Sequence, residues 1–120
     1  MKLPLHQIAY ARSGDKGASA NIGVIAHTPA GYDALRAFLT PQLVQNFFEP
    51  LCPTSVTRYE LPNLLALNFV LLNILAGGAN LSLRVDAQGK ALAQALLEIQ
   101  LDLPDDRLTE MRPPETKERP

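Results

Sequence analysis

At 120 residues and 47% hydrophobic, the chain is sized for one domain with its own core and is too short for two. A formal net charge of -1 leaves no basic field of the kind that draws nucleic acid or an anionic membrane, so any anion site must be local. One cysteine, Cys52, excludes an internal disulfide, and with only His6 and His27 beside it in the inventory no structural metal site is expected.

The first residues, Met1-Lys2 followed by Pro4 and His6, contain no apolar leader-like run, which predicts a cytoplasmic protein. Leu5, Ile8, Ala9 and Tyr10 read as one strand and Ile22, Val24, Ile25 and Ala26 as a second. Between them runs Arg-Ser-Gly-Asp-Lys-Gly-Ala-Ser-Ala-Asn, residues 12–21, read as a polar loop. Gly14 and Gly17 free the backbone so that successive N–H groups can converge on an anion. Arg12 and Lys16 add charge, Asp15 is a candidate general base, and Ser13, Ser19 and Asn21 add oriented hydrogen bonds. The competing reading is an ordinary solvated turn, because the stretch is neither a Walker A loop nor a dinucleotide-binding glycine turn.

Thr28-Pro29 and Thr40-Pro41 each pair an N-cap residue with a proline at the first helical position, predicting two short helices or one broken helix up to Glu49. Pro50 and Pro53 close it, with Cys52 expected as a buried thiol. Val56, Thr57 and Tyr59 mark a strand over residues 54–61. Asn63 then reads as the cap of an apolar helix ending near Ala76, shorter than the ~20 residues of a membrane span and without a polar face, hence in need of cover from the domain or a second chain. Asn68 within it either satisfies buried backbone groups or points into a ligand pocket.

Leu81, Leu83 and Val85 alternate with Ser82, Arg84 and Asp86 as a half-buried strand. A short helix over 91–97 and a final strand to Leu103 follow, with a long hairpin around Gly89 as the rival. From Pro104 the prolines and mixed charges predict a polar tail, residues 104–120, that does not pack as a core element. Arg58, Glu60, Arg84 and Asp86 are expected to pair across strand faces. Short alternating elements predict an α+β sandwich, a mostly antiparallel sheet with helices on one face.

Three blocks, residues 11–24 (Ala-Arg-Ser-Gly-Asp-Lys-Gly-Ala-Ser-Ala-Asn-Ile-Gly-Val), 58–71 (Arg-Tyr-Glu-Leu-Pro-Asn-Leu-Leu-Ala-Leu-Asn-Phe-Val-Leu) and 81–90 (Leu-Ser-Leu-Arg-Val-Asp-Ala-Gln-Gly-Lys), together resemble the small domain of AtuA-type acyclic terpene utilisation proteins. Ala18 stands where that family usually has a second acidic residue, and Gly77-Gly78-Ala79-Asn80 where it has a run of glycines. The resemblance implies a ferredoxin-like fold over residues 1–103, found after a larger domain or as a separate chain beside it. It also implies a place in catabolism of branched or isoprenoid acids carried as coenzyme A thioesters, whose phosphates suit the 12–21 segment. No other cofactor is implied. The partners expected are a larger AtuA-type protein and a second copy of this chain. The alternatives are an enzyme acting on an acyl thioester through Asp15 and Lys16, and a purely structural homo-oligomer. One pocket edge is expected to bring Lys16 and Arg12 beside Asn63 at the start of the apolar helix.

Overall fold

Residues 2–16, 19–73 and 90–112 are described by a computed structural model. A short strand β1 (Lys2–Pro4) leads through a 3-10 turn into β2 (Ala9–Lys16), which folds back as β3 (Ser19–Ala26). Helices α1 (Pro29–Phe38) and α2 (Pro41–Phe47) follow. Thr28 and Thr40 cap them as their sequence signals predict, each hydroxyl oxygen accepting from a backbone N–H of the first turn, Gly31 at 3.0 Å and Leu43 at 3.1 Å. The chain continues through β4 (Ser55–Leu61), β5 (Ala66–Leu72), α3 (Lys90–Leu96), β6 (Gln100–Asp102) and α4 (Leu108–Met111).

Two antiparallel sheets result, a four-stranded one in the order β2-β3-β5-β4 and a two-stranded one joining β1 to β6. Because β3 and β4 both run antiparallel to β5 between them, they are parallel to each other, and α1 and α2 make the crossover. This is the split βαβ unit of ferredoxin-like folds, with the edge strand beside β3 supplied by the preceding segment of chain. The α+β reading with a mostly antiparallel sheet holds.

Alternation along the strands sorts the two faces of the sheet. Ala20, Ile22, Val24 and Ala26 of β3 and Leu67, Phe69 and Leu71 of β5 are buried on one face. There they share a single core with Tyr32 and Leu35 of α1, Val44 of α2, and Leu92 and Leu96 of α3. Fully burying a side chain such as Phe69 or Leu35 contributes about 1.5–3 kcal/mol, which is why these elements hold together despite their shortness.

Three expectations need correction. The apolar segment from Asn63 is a strand, not a helix: Pro62–Leu64 form a 3-10 turn, Leu65 takes a left-handed conformation (φ 54°), and β5 then occupies the sheet interior. Leu67, Phe69 and Leu71 face the core, and Ala66, Val70 and Leu72 on the other face are apolar as well, so the run lacks a clear two-residue period and mimics a buried helix. Second, Cys52 is exposed rather than buried. It sits at φ 53° after a 3-10 turn, and its neighbours Leu51 and Pro53 take the inward positions. Third, the segment after Pro104 packs through Arg112: α4 lies on α1, Met111 is 2% exposed within the core, and the Thr28 hydroxyl donates to the Glu110 carbonyl at 2.7 Å. The expected strand at 81–85, with Arg84 and Asp86, lies outside the described residues, as do Gly17 and the end of the expected apolar helix.

Candidate functional site

The segment read as a loop is mostly ladder. Arg12 pairs with Gly23, Ser13 with Ile22, Gly14 with Asn21, Asp15 with Ala20 and Lys16 with Ser19, so the backbone of residues 12–16 is spent on a β-hairpin rather than curled around an anion. Its side chains therefore divide between faces. Ser13 points to the helical side, where its hydroxyl oxygen accepts from the Ala93 N–H of α3 at 3.2 Å. Arg12, Gly14, Ser19 and Asn21 fall on the other face, which no described helix covers.

On that open face the register brings together residues far apart in sequence. One transverse row reads Arg12, Gly23, Asn68, Tyr59, and the next reads Gly14, Asn21, Val70, Thr57. Asn21 Nδ2 donates to Asn68 Oδ1 at 3.4 Å, between the two rows. Ser19, Ala20, Asn21, Asn68 and Val70 line a shallow groove of about 560 Å³. Asn68 is thus half-buried at this groove. Ser19 also accepts from the Asn73 backbone N–H at 3.4 Å, and Asn73, left-handed at φ 62°, donates through Nδ2 to Thr54 Oγ1 at 2.9 Å. These bonds fix the hairpin end of β3 against the end of β5.

Asn63 does not join this group. Ile25 pairs with Ala66 at one end of the sheet and Ala20 with Leu71 at the other, so the turn holding Asn63 and the hairpin end at Lys16 lie at opposite ends. The expected pocket edge uniting Lys16 with Asn63 is absent. No helix starts at Asn63, so there is no helix N-terminus to attract an anion.

Residues not singled out in the sequence complete the open face. Tyr10, Tyr59, Leu61 and Leu72 are large, exposed and apolar, with Tyr59 at 53% exposure. Tyr10 stacks on His27, ring centroids 5.7 Å apart. Reading Arg12 to Asn21 as strand rather than loop would have exposed this pattern, because outward residues then recur at every second position. Among the side chains described on this face Arg12 carries the one charge, and it makes no ion pair with a described residue. The other strand arginine faces the helices: Arg58 pairs with Glu60 at 3.1 Å, as expected, and donates to the Arg36 and Leu39 carbonyls at the end of α1. A second concavity, about 310 Å³, lies where Gln42 and Glu49 approach the exposed Cys52.

Among the described residues there is no group of His, Cys, Asp and Glu able to hold a metal ion, and no helix long and apolar enough to cross a membrane. On this face Gly14 and Gly23 stand among the Asn21 and Asn68 amides and the Arg12 guanidinium, and the rings of Tyr10 and Tyr59 are exposed.

The family model described as AtuA ferredoxin-like domain matches residues 3–102. The chain belongs to this family. The match spans β1 through β6, so the small end sheet is part of the AtuA ferredoxin-like domain along with the four-stranded one. No curated protein and no solved structure shows significant similarity to the chain.

Proposed function

We propose that this AtuA ferredoxin-like domain is a cytoplasmic accessory subunit that packs its open sheet face against a larger AtuA-type protein and completes a binding site there for branched or isoprenoid acyl-CoA compounds. The observation that carries the reading is the face of the four-stranded sheet that no described helix covers, where Tyr10, Tyr59, Leu61 and Leu72 are exposed around the Arg12, Asn21 and Asn68 strip. A sheet with one apolar face under helices and another studded with exposed rings gains stability by covering the second. Co-expression with the larger AtuA-type protein followed by size-exclusion chromatography tests it. Co-elution at micromolar concentration is expected, with loss of the complex on replacing Tyr59 and Leu61 by serine together. Separate elution of the two wild-type chains overturns the proposal. Asp15→Asn and Lys16→Ala variants that keep the complex but lose activity on the acyl-CoA compound would assign the hairpin end to the reaction.

A further inference from the structure

Strand β4 closes one edge of the four-stranded sheet, pairing with β5 on one side and with no described strand on the other. An edge strand presents a row of backbone N–H and C=O groups to any strand that comes alongside, and proteins that avoid such pairing break the edge with a proline, a bulge or an uncompensated charge. Residues 55–61, Ser-Val-Thr-Arg-Tyr-Glu-Leu, hold no proline and pair with β5 in unbroken register. Their two charges compensate each other: Arg58 Nη2 donates to Glu60 Oε2 at 3.1 Å, while Nη1 is tied inward to the Arg36 and Leu39 carbonyls. Thr57, Tyr59 and Leu61 on one face and Glu60 on the other are exposed. The chain leaves β5 at Asn73, whose side chain bonds Thr54 at the end of β4 remote from Glu60, and α3 packs against β2, the opposite edge of the sheet.

We infer that β4 is a self-association edge, on which a second copy of this chain pairs antiparallel through its own β4 about a two-fold axis at Tyr59. The register follows from charge. Directly opposed residues of an antiparallel pair share a face, so the axis of a symmetric pair stands on a residue and not between two. An axis on Arg58 would set the guanidinium against its own copy, and an axis on Glu60 would set carboxylate against carboxylate, and like charges directly opposed destabilise a sheet. An axis on Tyr59 instead sets Arg58 of each copy opposite Glu60 of the other and brings the two Tyr59 rings side by side. This complementarity selects a second copy over an unrelated strand, because each copy carries both the cation and the carboxylate at the spacing the other needs. The two four-stranded sheets become one, with the helices of both copies on one side and the open faces continuous on the other. The inference does not depend on the docking role proposed above.

The test uses the chain alone. Sedimentation equilibrium is expected to show a dimer at micromolar concentration. Glu60→Lys places a cation opposite Arg58 of the other copy and should raise the dimer dissociation constant roughly tenfold or more, with the circular dichroism spectrum unchanged. In a Cys52→Ser background, a short bismaleimide should join two copies through Tyr59→Cys, whose positions meet at the axis. It should not join them through Ser55→Cys, where a rise of about 3.4 Å per residue holds the two positions roughly 27 Å apart. A dimer that Glu60→Lys leaves unchanged, or one that cross-links through position 55 as readily as through position 59, overturns the proposal. A chain that stays monomeric throughout the micromolar range overturns it as well, and if that monomer still co-elutes with the larger AtuA-type protein the docking role stands without the edge pairing.

Discussion

Arg58 donates through Nη1 to the carbonyl oxygen of Leu39 at 2.9 Å, tying edge strand β4 to the residue on which α1 ends. The same nitrogen reaches the Arg36 carbonyl at 3.0 Å, so one half-buried guanidinium serves two of the carbonyls that a helix terminus leaves without partners. Arg58→Ala is expected to cost about 1.5–3 kcal/mol in urea unfolding, because hydrogen bonds from a charged donor are lost and the carbonyls are left unpaired. Glu60→Ala should cost well under 1 kcal/mol, since that carboxylate is nearly half exposed and its pair with Arg58 is screened.

Gly31 offers a case where the usual helix rule reverses. Alanine in a helix interior normally stabilises by roughly 1 kcal/mol over glycine. A Cβ at Gly31 would stand 3.3 Å from the Met111 carbonyl and from Thr28 Oγ1, and 3.4 Å from the Ala26 Cβ. Gly31→Ala is therefore expected to destabilise, by about 1–2 kcal/mol, through displacement of α4 and the Thr28 cap. Met111→Ala should cost about 2–4 kcal/mol through the cavity it opens, and equality with wild type in thermal melting would show that α4 is not part of the core.

Cys52→Gly is expected to raise stability by up to ~1 kcal/mol. The residue is exposed and held at φ 53°, ψ 53°, where a side chain costs energy and glycine does not. Denaturant midpoints of the wild type and the variant, both under reducing conditions, provide the measurement.

Ser13 and Asn21 lie on neighbouring strands but opposite faces, so their substitutions should separate cleanly. Ser13→Ala removes the acceptor for the Ala93 N–H and should lower stability by about 1 kcal/mol while leaving association with a larger AtuA-type protein unchanged. Asn21→Ala should leave the unfolding midpoint within about 0.5 kcal/mol of wild type, as substitutions at exposed positions usually do, and weaken association instead.

What could be read from the sequence was what is decided locally. Thr28-Pro29 and Thr40-Pro41 announce helix starts because cap and proline act within one turn, and residues 54–61 read as a strand from β-branched and aromatic content, which the structure bears out as Ser55–Leu61. The β5 segment was misread because its residues, in an interior strand, show no period that separates strand from helix, and Asn63 looks like a cap wherever an apolar run follows. The hairpin was misread for the opposite reason. Gly14, Asp15 and Ser13 are turn formers by local preference, and only pairing with β3 makes them strand. The open face depends on the register among β2, β3 and β5, a relation across more than fifty residues of chain that no local window contains. Met111 was hidden by the prolines and charges around it.

The pairing of β1 with β6 sets Lys2 opposite Asp102 and Pro4 opposite Gln100. A pull applied outward from Lys2 and from Asp102 meets this ladder at one end and opens it rung by rung, as a zipper opens, instead of shearing all its bonds together. The domain should accordingly yield at low force in a single-molecule pulling experiment, giving up the small sheet before the four-stranded sheet is loaded.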